Sequence, residues 1–479
     1  MKITLALFII LLFAFPDNKD KIDFVISNSK IINVEDGSVI MNHDILIKGN
    51  LIVDIVTHRK TYDKSVKVID AKNLYTIPGL WDMHVHAIWP EWFEMCNPLM
   101  TAYGITGFRD TWGDLKLADT IRRRMAAGQI SFQRFILAGG LIDGSRPIWP
   151  TSLVADSPAE GIRLVDSLYK AGADFIKLYS RLKPEVFYAI AKHCKELNLK
   201  FAGHVPEKVK LIDASNAGMY SMEHLTGVTE AFSDIEDSIF AVINKIDYTG
   251  DPKTFGPLVM ERLNLLVKSK IVPEKVEKII AVLKKNHTWI VPTMVAKKGI
   301  SYMDELGKEK DERLSYLPNE ITFGWKPEND FRVKNRTPQQ WKDVKILYQS
   351  GVSQLTLLIK NNIPLVAGTD FPNPYCFPGS GIHDEFEVMT GAGLTPLQAL
   401  QSATLNAAKY LGKTDSLGTI AVNKYADILL LSENPLTNIS NTRKIEALFV
   451  NGKFYNKKDL ESLKQKAKDI SAKMNKASK

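Results

Sequence analysis

Between residues 78 and 412 the chain alternates short apolar runs that read as strands with stretches that read as helices. This alternation limits its possible folds more than any other feature. Parallel strands need long crossovers, and a helix is the compact way to make one, so the pattern predicts βα units and a parallel sheet. Eight strand runs can be read, at residues 80–85, 107–110, 135–138, 175–179, 200–204, 220–223, 289–292 and 365–369. Helical candidates such as 159–171 and 184–197, apolar at helix spacing, lie between them. The expectation is an α/β chain with a (β/α)8 TIM barrel, whose strand ends all open on one mouth. The seventh connection, about 296–362, is unusually long and carries Trp325 and Trp341, as a helical lid or a wall beside the substrate would.

The flanks read differently. Short strand-like runs at 22–27, 30–34, 43–48, 51–57 and 66–70 precede the alternating region, and similar runs return at 426–431 and 447–453. Two β-rich ends around one long middle predict a single discontinuous domain, because the ends of the middle domain lie close together. The expected division is a signal peptide at 1–16, a β-sandwich domain split between 17–77 and 413–457, the barrel at 78–412, and a Lys-rich C-terminal helix or tail at 458–479.

The signal reading rests on Met1-Lys2, an apolar run from Ile3 to Phe15, and the polar shift after Pro16. The run is short for a membrane span, so the expectation is an exported, periplasmic or extracellular protein with no stable membrane insertion once the signal is removed. Export permits disulfides, yet Cys96, Cys194 and Cys376 are scattered and odd in number, which favours free, packed thiols. The net charge of +8 comes largely from the C-terminal lysines. Without interleaved aromatics these read as a solvated helix face, so a small-molecule substrate is expected, no nucleic acid, and homo-oligomer formation is left open.

The chemistry starts at Pro78-Gly79-Leu80-Trp81-Asp82-Met83-His84-Val85-His86. In a strand, residues i and i+2 project to one side, so His84 and His86 can reach one metal ion. His204, His224 and Asp370 each follow an apolar run, where barrel strand ends converge. Pro372 and Pro374 follow Asp370 too soon for an orderly helix start, which favours a ligand over a helix cap there. Lys177 lies inside the apolar run 175–179, where an unpaired ammonium is costly. Three explanations compete for it: a salt bridge, a neutral base of low pKa, or a carbamate whose two oxygens bridge two cations.

With these residues in place, the chain resembles the amidohydrolase superfamily. The resemblance is carried by the split β-rich ends, Pro78 to His86, the strand-four lysine, His204 and His224, and Gly368-Thr369-Asp370. It extends through the stretches 393–400 and 403–408 to Ala426-Asp427-Ile428. Within the superfamily the chain is most similar to the imidazolonepropionase-related and prolidase-like secreted amidohydrolases. The resemblance implies a two-metal site: His84, His86 and Asp370 on one divalent cation, His204 and His224 on the other, with carboxylated Lys177, its carbamate made from CO2, and a hydroxide shared. Mixed N/O donors suit Zn²⁺ best, with Mn²⁺, Co²⁺ or Fe²⁺ as alternatives. Asp370 is implied as the catalytic residue, taking a proton from the attacking water and passing it to the leaving nitrogen.

The chain departs from some prolidase-like relatives in lacking a histidine after the third strand, where it reads Gly139 to Pro150. Substrate residues are therefore unassigned; Arg146, Trp149, Tyr179 and His383 are substrate-facing or structural. The function expected is hydrolysis of an amide, dipeptide or cyclic amide C–N bond. A phosphotriester or lactone hydrolase using the same site and a non-catalytic exported binding protein are the alternatives.

Overall fold

The computed structural model of the chain describes residues 22–130, 132–308 and 310–477, so the signal reading lies outside the described residues. The chain has mixed α/β content. Its middle carries two parallel sheets, one of Leu80–Val85, Ile105–Asp110 and Arg134–Leu137, the other of six strands from Leu141–Asp143 to Trp289–Val291. Seven of the eight predicted runs are strands. The eighth, 365–369, is extended chain held by main-chain bonds on both sides: Val366 N donates to Ile290 O at 3.1 Å, and Met83 N donates to Ala367 O at 2.9 Å. Asp174 N donates to Leu137 O at 2.8 Å, tying the two parallel sheets together at another point.

Local signals explain the helices between these strands. Pro158–Lys170 starts at Ser157, whose hydroxyl accepts from Glu160 N while Glu160 reaches back, with Pro at the first turn where no N–H is needed. Pro338–Lys360 repeats the device with Thr337 and Gln340. It closes the long insertion, which is helical as expected.

The β-rich ends do join. Tyr75–Pro78 pairs on one side with Phe24–Ile32 and on the other with Ile428–Leu431, so N- and C-terminal strands share one eight-stranded sheet. The runs 22–27 and 30–34, read as two strands, are one, Phe24–Ile32, with an irregular register against Val39–Lys48. The sheet has its own apolar core, including Ile26, Ile45, Ile428 and Phe449. The Lys-rich end is the helix Lys457–Ala477, which buries Leu460, Ala467 and Ser471 and leaves its lysines outward. Cys96, Cys194 and Cys376 are free and buried. Among the described residues no helix is long and apolar enough to cross a membrane.

Candidate metal centre

The six side chains singled out in the sequence gather where the parallel strands end. Asp370 Oδ1 lies 3.0 Å from His86 Nε2 and 3.3 Å from His84 Nε2, and Asp370 Oδ2 lies 3.5 Å from His224 Nδ1. Lys177 Nζ is 3.4 Å from His84 Nε2, and the His204 ring lies 4.8 Å from that of His224. One ligand atom each of His84, His224 and Asp370 lie within 4.8 Å of one another. Asp370 thus stands between the two histidine pairs.

Sharp turns of the main chain bring the ligand atoms together. His224, Thr293 and Asp370 adopt positive φ of 60°, 45° and 61°, a conformation that costs a non-glycine residue about 1–3 kcal/mol and persists only where the surroundings enforce it. Two glycines make room for the turns. A Cβ at Gly368 would lie 2.7 Å from His84 Cβ, and one at Gly203 would lie 2.1 Å from Leu178 O.

Each ring is held from behind. An ionised carboxylate only accepts, so His84 Nδ1 donates to Glu223 Oε2, at 2.7 Å, leaving the Nε2 lone pair facing the centre. Arg109 donates to both Glu223 oxygens at 2.8 and 2.7 Å, and Ser221 Oγ donates to Oε1 at 2.7 Å. None of His84, Arg109, Ser221 and Glu223 is exposed. Burial would raise the Glu223 carboxyl, but Arg109 and then His84 hold it well below the usual carboxylate range. Thr293 Oγ1 lies 2.9 Å from Pro292 O and 2.5 Å from His224 Nδ1, the ring nitrogen that also faces Asp370. His204 Nδ1 meets Ser180 Oγ at 2.8 Å, and its ring lies against Tyr179 with centroids 3.9 Å apart.

The charge states suit cation binding. Burial pulls His84 below its usual value and His204 and His224 well below it, which keeps the imidazoles neutral with lone pairs to offer. Burial also lowers the Lys177 amine to about 8. Donor atoms about 3.4 Å apart are the edges of a tetrahedron with metal bonds of about 2.1 Å, close to the spacings around Asp370. The residues present fit a divalent cation.

A cavity of about 720 Å³ opens over the centre. One wall is a run of rings, His86 to Trp112 to Trp149 to Phe331, with successive centroids 6.0, 5.9 and 5.5 Å apart. The long insertion supplies another, through Ile321, Trp325, Phe331 and Arg332. Of the four candidate substrate residues, Trp149 and Tyr179 line the cavity. Arg146 instead donates to Tyr248 O and Gly250 O, and His383 is buried between Thr442 Oγ1 and Tyr103 O as a structural link. Sequence reasoning passed over Arg109, Glu223, Trp112 and Lys297. Arg109 and Glu223 carried the same signal as Lys177, a charge inside an apolar strand.

Residues 75–455 match the amidohydrolase family. Ochratoxinase of Aspergillus niger is 26% identical over 184 residues, 35% of this chain and 37% of that enzyme, so the chain spans about a third of the length of this curated relative. A solved Xaa-Pro dipeptidase, with methionine bound in its active site, superposes with a TM-score of 0.64 at 19% identity, covering 90% of this chain and 99% of that one. Bottromycin amidohydrolase superposes at 0.70 and 19% identity, covering 93% and 90%. At these identities the two structures speak for the fold.

Proposed function

The chain belongs to the amidohydrolase family, and on that premise we propose that it is a metal-dependent hydrolase of a C–N bond in a small molecule: an amide, a dipeptide or a cyclic amide. The observation that carries this reading is the convergence of His84, His86 and His224 donors on Asp370 at 3.0–3.5 Å, beside His204 and the buried Lys177. His84, His86 and Asp370 would hold one divalent cation and His204 and His224 a second, with Zn²⁺ as the best match to the donors. Lys177 would bridge the two as a carbamate, formed when its neutral amine adds to CO2 and releases a proton. When bound, the cations lower the pKa of the attacking water and polarise the scissile carbonyl.

The chain's own groups do the rest. Glu223 keeps the proton of His84 on Nδ1, and the Thr293 hydroxyl orients the His224 ring. Asp370 accepts a proton from the attacking water and returns it to the leaving nitrogen, so the amide plus water becomes an acid and an amine. The aromatic wall excludes water from around the substrate.

The proposal extends to architecture and location. The parallel strands and residues 364–371 close into a (β/α)8 barrel, supported by the bonds of that segment to both Ile290 and Met83. The terminal strands form a domain against it, and residues 1–16 direct export.

The test is elemental analysis of purified protein together with a screen of dipeptides, N-acyl amino acids, lactams, lactones and phosphotriesters. The expected result is about two divalent cations per chain and turnover of C–N substrates. One tightly held ion or none after growth with ample metal and bicarbonate would overturn the bridged site. Turnover confined to lactones or phosphotriesters would overturn the C–N assignment.

A further inference from the structure

Tyr179 follows the strand Ile176–Leu178 and continues its ladder, its N donating to Ile142 O at 2.9 Å. Residues i and i+2 of an extended chain project to one side, so the ring stands on the side of Lys177 and lines the large cavity. It lies against His204, with ring centroids 3.9 Å apart. A phenylalanine would pack there as well, so it is the hydroxyl that needs an account. Trp149 Nε1 lies 3.0 Å from the Tyr179 hydroxyl oxygen. An indole N–H can only donate, so the phenol oxygen accepts and its own proton must point elsewhere. Among the described residues no acceptor meets that proton. Three other donors of the cavity wall are spent: the indole N–H groups of Trp89, Trp92 and Trp325 go to the main-chain carbonyls of Trp112, His86 and Pro372, at 2.8, 2.9 and 3.0 Å. The Tyr179 O–H is therefore a fixed donor without a protein acceptor, on the cavity wall and beside a ring of the centre. A donor so placed is completed by a ligand oxygen.

Resting on the hydrolase reading above, we propose that Tyr179 is a catalytic residue whose hydroxyl donates a hydrogen bond to the oxygen of the scissile carbonyl. The bond strengthens as that oxygen gains negative charge when water adds to the carbonyl carbon. The phenol keeps its proton throughout; the proton of the attacking water goes to Asp370 and then to the leaving nitrogen. Trp149 is a positioning residue, because its N–H occupies the phenol oxygen and turns the O–H toward the substrate. An interaction that strengthens in the transition state raises kcat more than it lowers KM, which separates this role from packing against His204.

The test compares the full-length, metal-replete parent with Tyr179→Phe, which keeps the ring on His204 and removes only the hydroxyl. On the C–N substrate turned over fastest in the screen, kcat is expected to fall about 100-fold with KM within about threefold. A second readout needs no turnover. Methylphosphonate, a tetrahedral oxyanion, titrated calorimetrically, should bind Tyr179→Phe at least about tenfold more weakly than the parent, with metal content by elemental analysis unchanged. Trp149→Phe, which keeps a ring in the wall, should weaken methylphosphonate by about three- to tenfold. Full affinity in that variant removes Trp149 from the proposal. Unchanged kcat or unchanged methylphosphonate affinity in Tyr179→Phe overturns the donor role, as does a parent that does not bind methylphosphonate. Loss of metal from Tyr179→Phe overturns it too, since the hydroxyl would then serve the ligands and not the substrate. The two readings fail separately. Weaker methylphosphonate binding by Tyr179→Phe, with no C–N substrate hydrolysed by the parent, sinks the hydrolase reading alone; full turnover and full methylphosphonate affinity in Tyr179→Phe sink the donor alone.

Discussion

The two sides of the centre are held by different chemistry. Behind His84 stands a dry ionic relay, Glu223 gripped by Arg109 and Ser221, with Tyr410 and the Met83 carbonyl completing the guanidinium. Behind His204 and His224 stand single hydroxyls, Ser180 at the smaller cavity and the buried Thr293. A carboxylate can only accept, so it imposes one tautomer on His84 and makes the ring a stronger donor; a hydroxyl can give or take and adds little charge. The difference teaches that one histidine is fixed by electrostatics and the other two by shape and local turns.

The largest expected effect comes from breaking the relay at its far end. Arg109→Met leaves Glu223 as an unpaired buried carboxylate and should destabilise the fold by about 3–5 kcal/mol in denaturant unfolding, with loss of bound metal. Stability close to the parent's would show that the relay is not ionic. Glu223→Gln is milder. The amide keeps the size and an accepting oxygen but removes the charge, and metal affinity measured by chelator competition should fall about 10–100-fold. An unchanged affinity would erase the distinction between the two sides.

The smallest effects belong to the hydroxyl side. Ser180→Ala and Thr293→Val should each weaken metal binding by less than about tenfold, the range of one neutral hydrogen bond. A loss larger than that of Glu223→Gln in either variant would reverse the comparison. Between these extremes, chelation should lower the thermal midpoint of the parent protein, since metal binds only the folded state. The drop should be smaller for Glu223→Gln, where less of the metal's binding energy remains to be lost.

Much of this arrangement could be read from residue order, and the part that could not has physical causes. Strand ends and i, i+2 spacing pointed to His84 and His86, and a lysine inside an apolar run pointed to Lys177. Arg109 and Glu223 are also charges inside apolar strands, but their meeting spans 114 positions of chain, and no local pattern reports a pairing at that distance. The run 365–369 was read as a strand; it bonds to its neighbours at only a few points before Asp370 turns, a local outcome that periodicity does not express.

By itself the sequence determined the family, the alternation of strands and helices, the joining of β-rich ends, and the residue types at the strand ends, because these depend on short-range spacing and on which faces must be buried. Only the tertiary structure decided which donor meets which. Asp370 stands between His84, His86 and His224 because Gly368 lets its chain approach His84 and because its own φ is positive. The aromatic wall likewise exists only once distant loops pack against one mouth. Such features are set by contacts between segments far apart in sequence, and those contacts are decided by packing.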